Sequence, residues 1–150
     1  DFNLAVERVQ AAVEMAHAQP IPVMLTARAE NLIRGRVDLD DTIRRLQAFE
    51  KAGADVLYAP GLKDIASIRT VAASVGKPLN VVMSAADPAI TVAELAEAGV
   101  KRISVGGALS KFALTAFMQA GREMAERGGF TWVGQALPTK DFASVFAPYP

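Results

Sequence analysis

Gly53, Gly76 and Gly99 recur at intervals of 23 residues, each just beyond a stretch whose apolar residues stand three or four apart. Glycine is the residue best suited to end a helix in the left-handed conformation, so this spacing reads as one helix stop repeated three times. Each repeat has room for one helix, one short strand and their turns. The segments between the glycines bear this out. Residues 4–18 place Val6, Val9, Val13 and Ala16 on one side of a helix, with Glu7, Arg8, Gln10 and Glu14 between them, and Pro20 beyond. In residues 21–30, Val23, Leu25 and Ala27 alternate with Met24, Thr26, Arg28 and Glu30, the two-residue period of a strand with one apolar face. Asp38 is placed to cap a helix that holds Asp40 and Asp41 in its first turn and buries Ile43, Leu46 and Phe49. A strand at 54–60, a helix at 64–75, a strand at 78–83, a helix at 91–98, a strand at 102–105 and a helix at 111–127 complete the reading.

Strands that alternate with helices are joined by crossovers and run parallel, which selects an α/β architecture. A doubly wound sheet ordinarily opens with a glycine-rich phosphate turn, and no G-x-G-x-x-G follows the first strand. The expectation is therefore a (β/α)₈ TIM barrel. Such a barrel takes roughly 200–250 residues, and four strands cannot close one. The 150 residues are expected to supply about the C-terminal half of a single barrel domain, four parallel strands followed by a C-terminal helical tail at 111–150. A start at Asp1 rather than Met fits part of a longer product. The less favoured alternative, a half-barrel acting alone, would leave parallel edges exposed.

Composition narrows the functions. At 51% hydrophobic and 21% charged residues the chain can bury a core, which excludes intrinsic disorder. Sixteen Lys and Arg balance sixteen Asp and Glu, so there is no basic field for nucleic acid. The absence of cysteine removes thiolate metal sites, disulfides and thiol nucleophiles. No run of 18 apolar residues exists and the N-terminus reads as a helix, so no membrane role is expected and the placement is cytoplasmic.

In a barrel, chemistry sits at the carboxyl ends of strands. That rule selects Arg28 and Glu30, then Tyr58 and Pro60, then Asn80 and Val82, then Ser104 with Gly106 and Gly107. Arg28 is permanently charged and needs a partner, either Glu30 on the same face or the carboxylate or phosphate of a ligand, and both can hold at once. Gly106 and Gly107 stand where backbone N–H groups can approach an anion, or form a plain turn. Asp38, Asp40 and Asp41 cluster as a hard cation would require, but their place at a helix start favours capping. His17 ends the first helix and has no second histidine to form a metal site. Phe130, Trp132, Phe142, Phe146 and Tyr149 crowd the tail, where packing on the same barrel and a subunit interface are both open.

The run PVMLTARAENLIRGRVDLDDTIRRLQAFEKAGADVLYAPGL, followed by KPLNVV and LAEAGVKRISVGGAL, resembles the isocitrate lyase and phosphoenolpyruvate mutase superfamily over roughly residues 1–126. The resemblance implies a Mg²⁺-dependent barrel that makes or breaks a C–C or P–C bond beside a carboxylate through an enolate-like intermediate. It makes Arg28 the residue that grips substrate and developing charge, gives Glu30 a supporting role, and places Asn80, or Val82 two residues on, at the substrate. Gly106 and Gly107 join the substrate-binding set. It implies that the Mg²⁺ ligands lie upstream of the matching region, so that no metal ligand belongs to this chain. It also implies a homotetramer built from dimers that exchange the last barrel helix. Methylisocitrate lyases place Glu, and phosphoenolpyruvate mutases His, where this sequence has Pro60, whose side chain neither donates nor accepts. Two functions stand open on sequence: a lyase or phosphonomutase-like enzyme on a small 2-oxo or 2-hydroxy carboxylate, or a barrel that has lost the chemistry and binds a carboxylate or serves assembly.

Overall fold

The structure is a computed structural model that describes residues 1–146. The chain divides into two compact units, residues 1–106 and 107–150. The first holds α1 (Phe2–His17), β1 (Thr26–Arg28), α2 (Leu39–Lys51), β2 (Val56–Tyr58), α3 (Ile65–Ala73), β3 (Leu79–Val82), α4 (Val92–Glu97) and β4 (Arg102–Ser104). The strands form one parallel sheet in the order β1-β2-β3-β4. Sequential order without reversal is that of barrel staves; a doubly wound sheet would turn back at a switch point.

The strands are shorter than the sequence pattern suggests, three or four residues each. Their alternation is kept. Ala27, Ala29, Leu57, Ala59, Leu79 and Val81 enter one buried cluster with Leu46 and Phe49 of α2, Ile68 and Val71 of α3, and Leu95 of α4. Burying the Leu, Ile, Val and Phe side chains among these stabilises the fold by roughly 1.5–3 kcal/mol each, before entropy is subtracted. The alternate residues, Thr26, Arg28, Val56, Tyr58, Asn80, Val82, Arg102 and Ser104, are left for the opposite face.

The helix starts obey local chemistry. Asp38 and Asp64 cap α2 and α3 by accepting from the amides of Asp41 and Ser67, and Thr91 with Glu94 forms a reciprocal capping box on α4. Two of the three spaced glycines, Gly53 and Gly99, take the expected left-handed conformation. Gly76 does not. There α3 has already ended at Ser74, and Gly76 is required for closeness: a Cβ would stand 2.6 Å from Oε1 of Glu50, whose carboxylate accepts from the Gly76 amide at 3.0 Å. The sequence spacing is the same, but the physical reason differs.

The second unit contains α5 (Ala108–Arg127), a 3₁₀ turn at Thr131–Gln135 and α6 (Thr139–Val145). Helix α5 begins three residues earlier than its apolar pattern suggests, with Gly107 as N-cap, and stops at left-handed Gly128. Glu123 receives the amide and hydroxyl of Thr131 at 2.6 and 2.8 Å, and these bonds hold its carboxyl below the usual range. No residue of α5 is buried: Phe112, Leu114, Phe117 and Met118 are exposed, as are Phe130, Phe142 and Phe146. Tyr149 lies outside the described residues. Among the described residues no helix is long and apolar enough to cross a membrane.

Candidate functional site

The pairing register sets Arg28 beside Tyr58, Tyr58 beside Asn80 and Asn80 beside Arg102. Register partners in a parallel sheet share a face, so four polar side chains cross the helix-free face of the first unit in one row. The row follows from the period-two pattern of each strand and is invisible in any one of them.

At its β1 end the guanidinium of Arg28 lies 2.7 Å from Oε1 of Glu30 and 5.1 Å from the centre of the Tyr58 ring. Of the partners open to this charge, Glu30 is present and the Tyr58 ring adds a cation–π contact, while the side chain remains 48% exposed, with room for a ligand. Glu30 also reaches Arg34 at 3.3 Å, so one carboxylate serves two guanidinium groups and the cluster keeps a net positive charge. A cleft of about 420 Å³ opens beside it, lined by Arg28, Glu30, Asn31, Arg34, Arg36 and Arg45 among others. The loop that carries Glu30 towards α2 is fastened by buried Asn31, whose Nδ2 donates to the Arg36 and Asp38 carbonyls and to Oγ1 of Thr42. Its buried Oδ1 has no hydrogen-bond partner among the described residues.

In the middle of the row Asn80 is 1% exposed. Its Nδ2 donates to Oγ of Ser104 at 3.1 Å and its Oδ1 accepts from Arg102 at 3.1 Å. Both polar ends of the amide are therefore engaged by β4. Val82, two residues on, is the register partner of Ser104 and is buried, as is Pro60 beyond β2. Gly106 closes the first unit in the left-handed region; a Cβ there would meet Oγ of Ser84 at 3.2 Å. Gly107 opens the second unit as the α5 cap, with nothing within 4 Å of an added Cβ.

Three features escaped the sequence. Arg102 falls outside the strand-end rule because it starts its strand instead of ending it; the signal is its shared parity with Ser104. Asn31 carries no motif. Asp55, the acid of the A-G-A-D segment, clamps the opposite end of the sheet: its Oδ2 accepts from the Leu25 amide at 2.7 Å and from Nε2 of His17 at 3.0 Å. The His17 bond first, and the amide second, hold Asp55 below the usual carboxylate range. His17 is thereby explained as a structural partner, beyond the helix-end role read from sequence.

The residues do not fit a metal. Among the described residues no group of three or more His, Cys, Asp or Glu could hold an ion. Asp38 caps α2, and Asp41 is held by Arg45 and Arg44, with Arg45 the larger cause of its lowered pKa. Capping and ion pairing account for Asp38 and Asp41.

A family model described as phosphoenolpyruvate phosphomutase matches residues 1–125. The chain belongs to the phosphoenolpyruvate phosphomutase family. Within it, 99% of the chain superposes on a candidate lyase/mutase from Burkholderia cenocepacia J2315 with 51% identity and a TM-score of 0.91, covering 53% of that chain. A phosphonopyruvate hydrolase, solved with oxalate and Mg²⁺, is 26% identical at a TM-score of 0.73 over 99% of this chain and 56% of its own. An oxaloacetate decarboxylase of Ectopseudomonas mendocina is 38% identical over 79 residues, 53% of this chain and 27% of that protein. The chain spans about half the length of these structures and less of its curated relatives. Its four sequential parallel strands correspond to about half of the phosphomutase-family barrel.

Proposed function

We propose that the protein of which these residues are part is a lyase or phosphonomutase-like enzyme acting on a small 2-oxo or 2-hydroxy carboxylate, forming or breaking a C–C or P–C bond through an enolate-like intermediate. The observation that carries this reading is Arg28 at the carboxyl end of β1, half exposed on the helix-free face, oriented by Glu30 and the Tyr58 ring. A guanidinium held in place before the reaction stabilises charge as it develops on a substrate oxygen. In this reading Arg28 touches the substrate and Glu30 fixes its direction. Gly106 offers its backbone at the end of β4. Asn80 is committed to Ser104 and Arg102, so its part is to order the face beneath the ligand.

Support comes from relatives that act on such molecules by name, the oxaloacetate decarboxylase and the phosphonopyruvate hydrolase. The crystal of the latter with oxalate and Mg²⁺ supports a requirement for Mg²⁺ here too, with ligands drawn from outside the residues described. A barrel emptied of chemistry, the alternative raised by Pro60, has no such support. The exposed apolar residues of α5 support a homo-oligomer formed by exchange of this helix.

The test is Arg28→Lys in the full-length protein. Turnover is expected to fall about a hundredfold or more, because a point charge cannot reproduce the fork at developing charge, while the unfolding midpoint stays near that of the wild type. Undiminished turnover would remove Arg28 from the mechanism.

A further inference from the structure

Between β1 and α2 the chain makes a loop, residues 29–38, that carries Glu30 and Arg34 and is drawn shut by one side chain. Asn31 is 7% exposed. Its Nδ2 donates to the carbonyls of Arg36 and Asp38 and, at 2.7 Å, to Oγ1 of Thr42, which is fully buried near the start of α2. The backbone closes the same way: the Arg36 amide donates to the Asn31 carbonyl at 2.9 Å, and the Arg34 amide to the carbonyls of Glu30 and Asn31 at 3.1 and 3.2 Å.

A plain reading is that Asn31 completes the cap of α2. The cap does not need it. Asp38 already accepts from the Asp41 amide through its side chain. The Arg36 carbonyl already accepts from the Asp38 amide at 2.9 Å, and the Asp38 carbonyl from the amide and hydroxyl of Thr42 at 3.1 and 2.7 Å. Each acceptor is served by another donor, so removing the Asn31 amide leaves neither carbonyl unpaired. What that amide adds is closure, because it binds residue 31 to residues 36–42.

The loop is braced on its other side by the turn after β2. A Cβ on Gly61, at φ +102°, would stand 2.9 Å from Cβ of Leu32 and 3.1 Å from Cγ2 of Ile33, so only glycine lets the two backbones come so near. Between these supports stands Glu30, with Oε1 2.7 Å from Arg28 and Oε2 3.3 Å from Arg34. An exposed ion pair holds its partners loosely unless something else fixes one of them. Here the loop fixes the acid. Resting on the reading of Arg28 as the group that grips the substrate, we infer that Asn31 is a positioning residue: by shutting the loop it sets Glu30, and through Glu30 the direction of the Arg28 guanidinium. Thr42 is the buried end of the same clamp.

Oxalate, with which the phosphonopyruvate hydrolase was solved, is the probe. It is titrated by calorimetry into the full-length protein with Mg²⁺ present. Asn31→Ala should lose about fivefold in oxalate affinity, the order of one hydrogen bond, and should lose nothing further in a Glu30→Ala background, because its effect passes through that carboxylate. A merely structural residue would subtract the same factor in both backgrounds. Thr42→Val should reproduce the loss, and Thr42→Ser, which keeps the hydroxyl, should bind as wild type does; this pair carries the test if Asn31→Ala does not fold. Equal losses in the two backgrounds, or wild-type affinity in both Asn31→Ala and Thr42→Val, would overturn the role of Asn31 while Arg28→Lys still weakens oxalate. Undiminished binding in Arg28→Lys, or no binding of oxalate by the wild type, would instead overturn the Arg28 site and the clamp's role with it.

Discussion

Asp55→Asn isolates the clamp that joins the end of α1 to the first two strands. One carboxylate oxygen accepts from the Leu25 amide and from His17, while the Asp55 amide donates to the Leu25 carbonyl at 3.0 Å and is untouched by the change. Asparagine keeps an acceptor in place and removes the charge. A hydrogen bond to a charged group contributes roughly 1.5–3 kcal/mol against 0.5–1.5 for a neutral one, so each bond weakens by about 1 kcal/mol. The His17 side chain is 47% exposed, and solvent screening reduces its share. The expected loss is about 1–2 kcal/mol at neutral pH, read as a lower urea midpoint with an unchanged slope. The pH dependence is the sharper measurement. Asp55 titrates below its ordinary value in the folded protein, so its contribution is complete above the unfolded carboxyl value of about 3.9 and is lost as pH falls through the folded value. The gap between wild type and Asp55→Asn should persist down to about pH 5 and close progressively below about 4, as Asp55 titrates through its lowered folded value. No gap at pH 7, or one that persists unchanged into acid, would refute the account of the clamp.

Gly76→Ala should cost about 1 kcal/mol in denaturant titration, because the added methyl displaces the Glu50 carboxylate and weakens its bond to the amide; a stabilised variant would show that the close approach is unimportant. Replacing Asp38, Asp40 and Asp41 together with Asn should leave Mg²⁺ affinity of the full-length protein intact, while the lost pairing of Asp41 with Arg45 and Arg44 lowers stability by about 1 kcal/mol or less. Loss of metal binding would contradict the capping assignment. Light scattering of the full-length protein should report a homo-oligomer, and a stable monomer at micromolar concentration would dispose of helix exchange.

What could be read from sequence is what depends on near neighbours along the chain. The period of apolar residues places each helix and strand, Asp38 announces the start of α2, and alternation assigns Arg28 and Ala27 to opposite faces, because side-chain direction is set by backbone geometry one residue at a time. Four strands separated by helices already implied half of a barrel. The resemblance supplied the carboxylate chemistry that residue types alone left open. Tertiary structure decided what depends on register and on approach between distant segments. It aligned Arg28, Tyr58, Asn80 and Arg102, residues from four strands whose offsets no single strand encodes. It set Gly76 against Glu50 instead of in a left-handed cap, and gave His17 to Asp55 across 38 positions of chain. Hydrogen-bond partners remote in sequence are chosen by how the elements pack, so the polar row could be found only once the strands lay side by side.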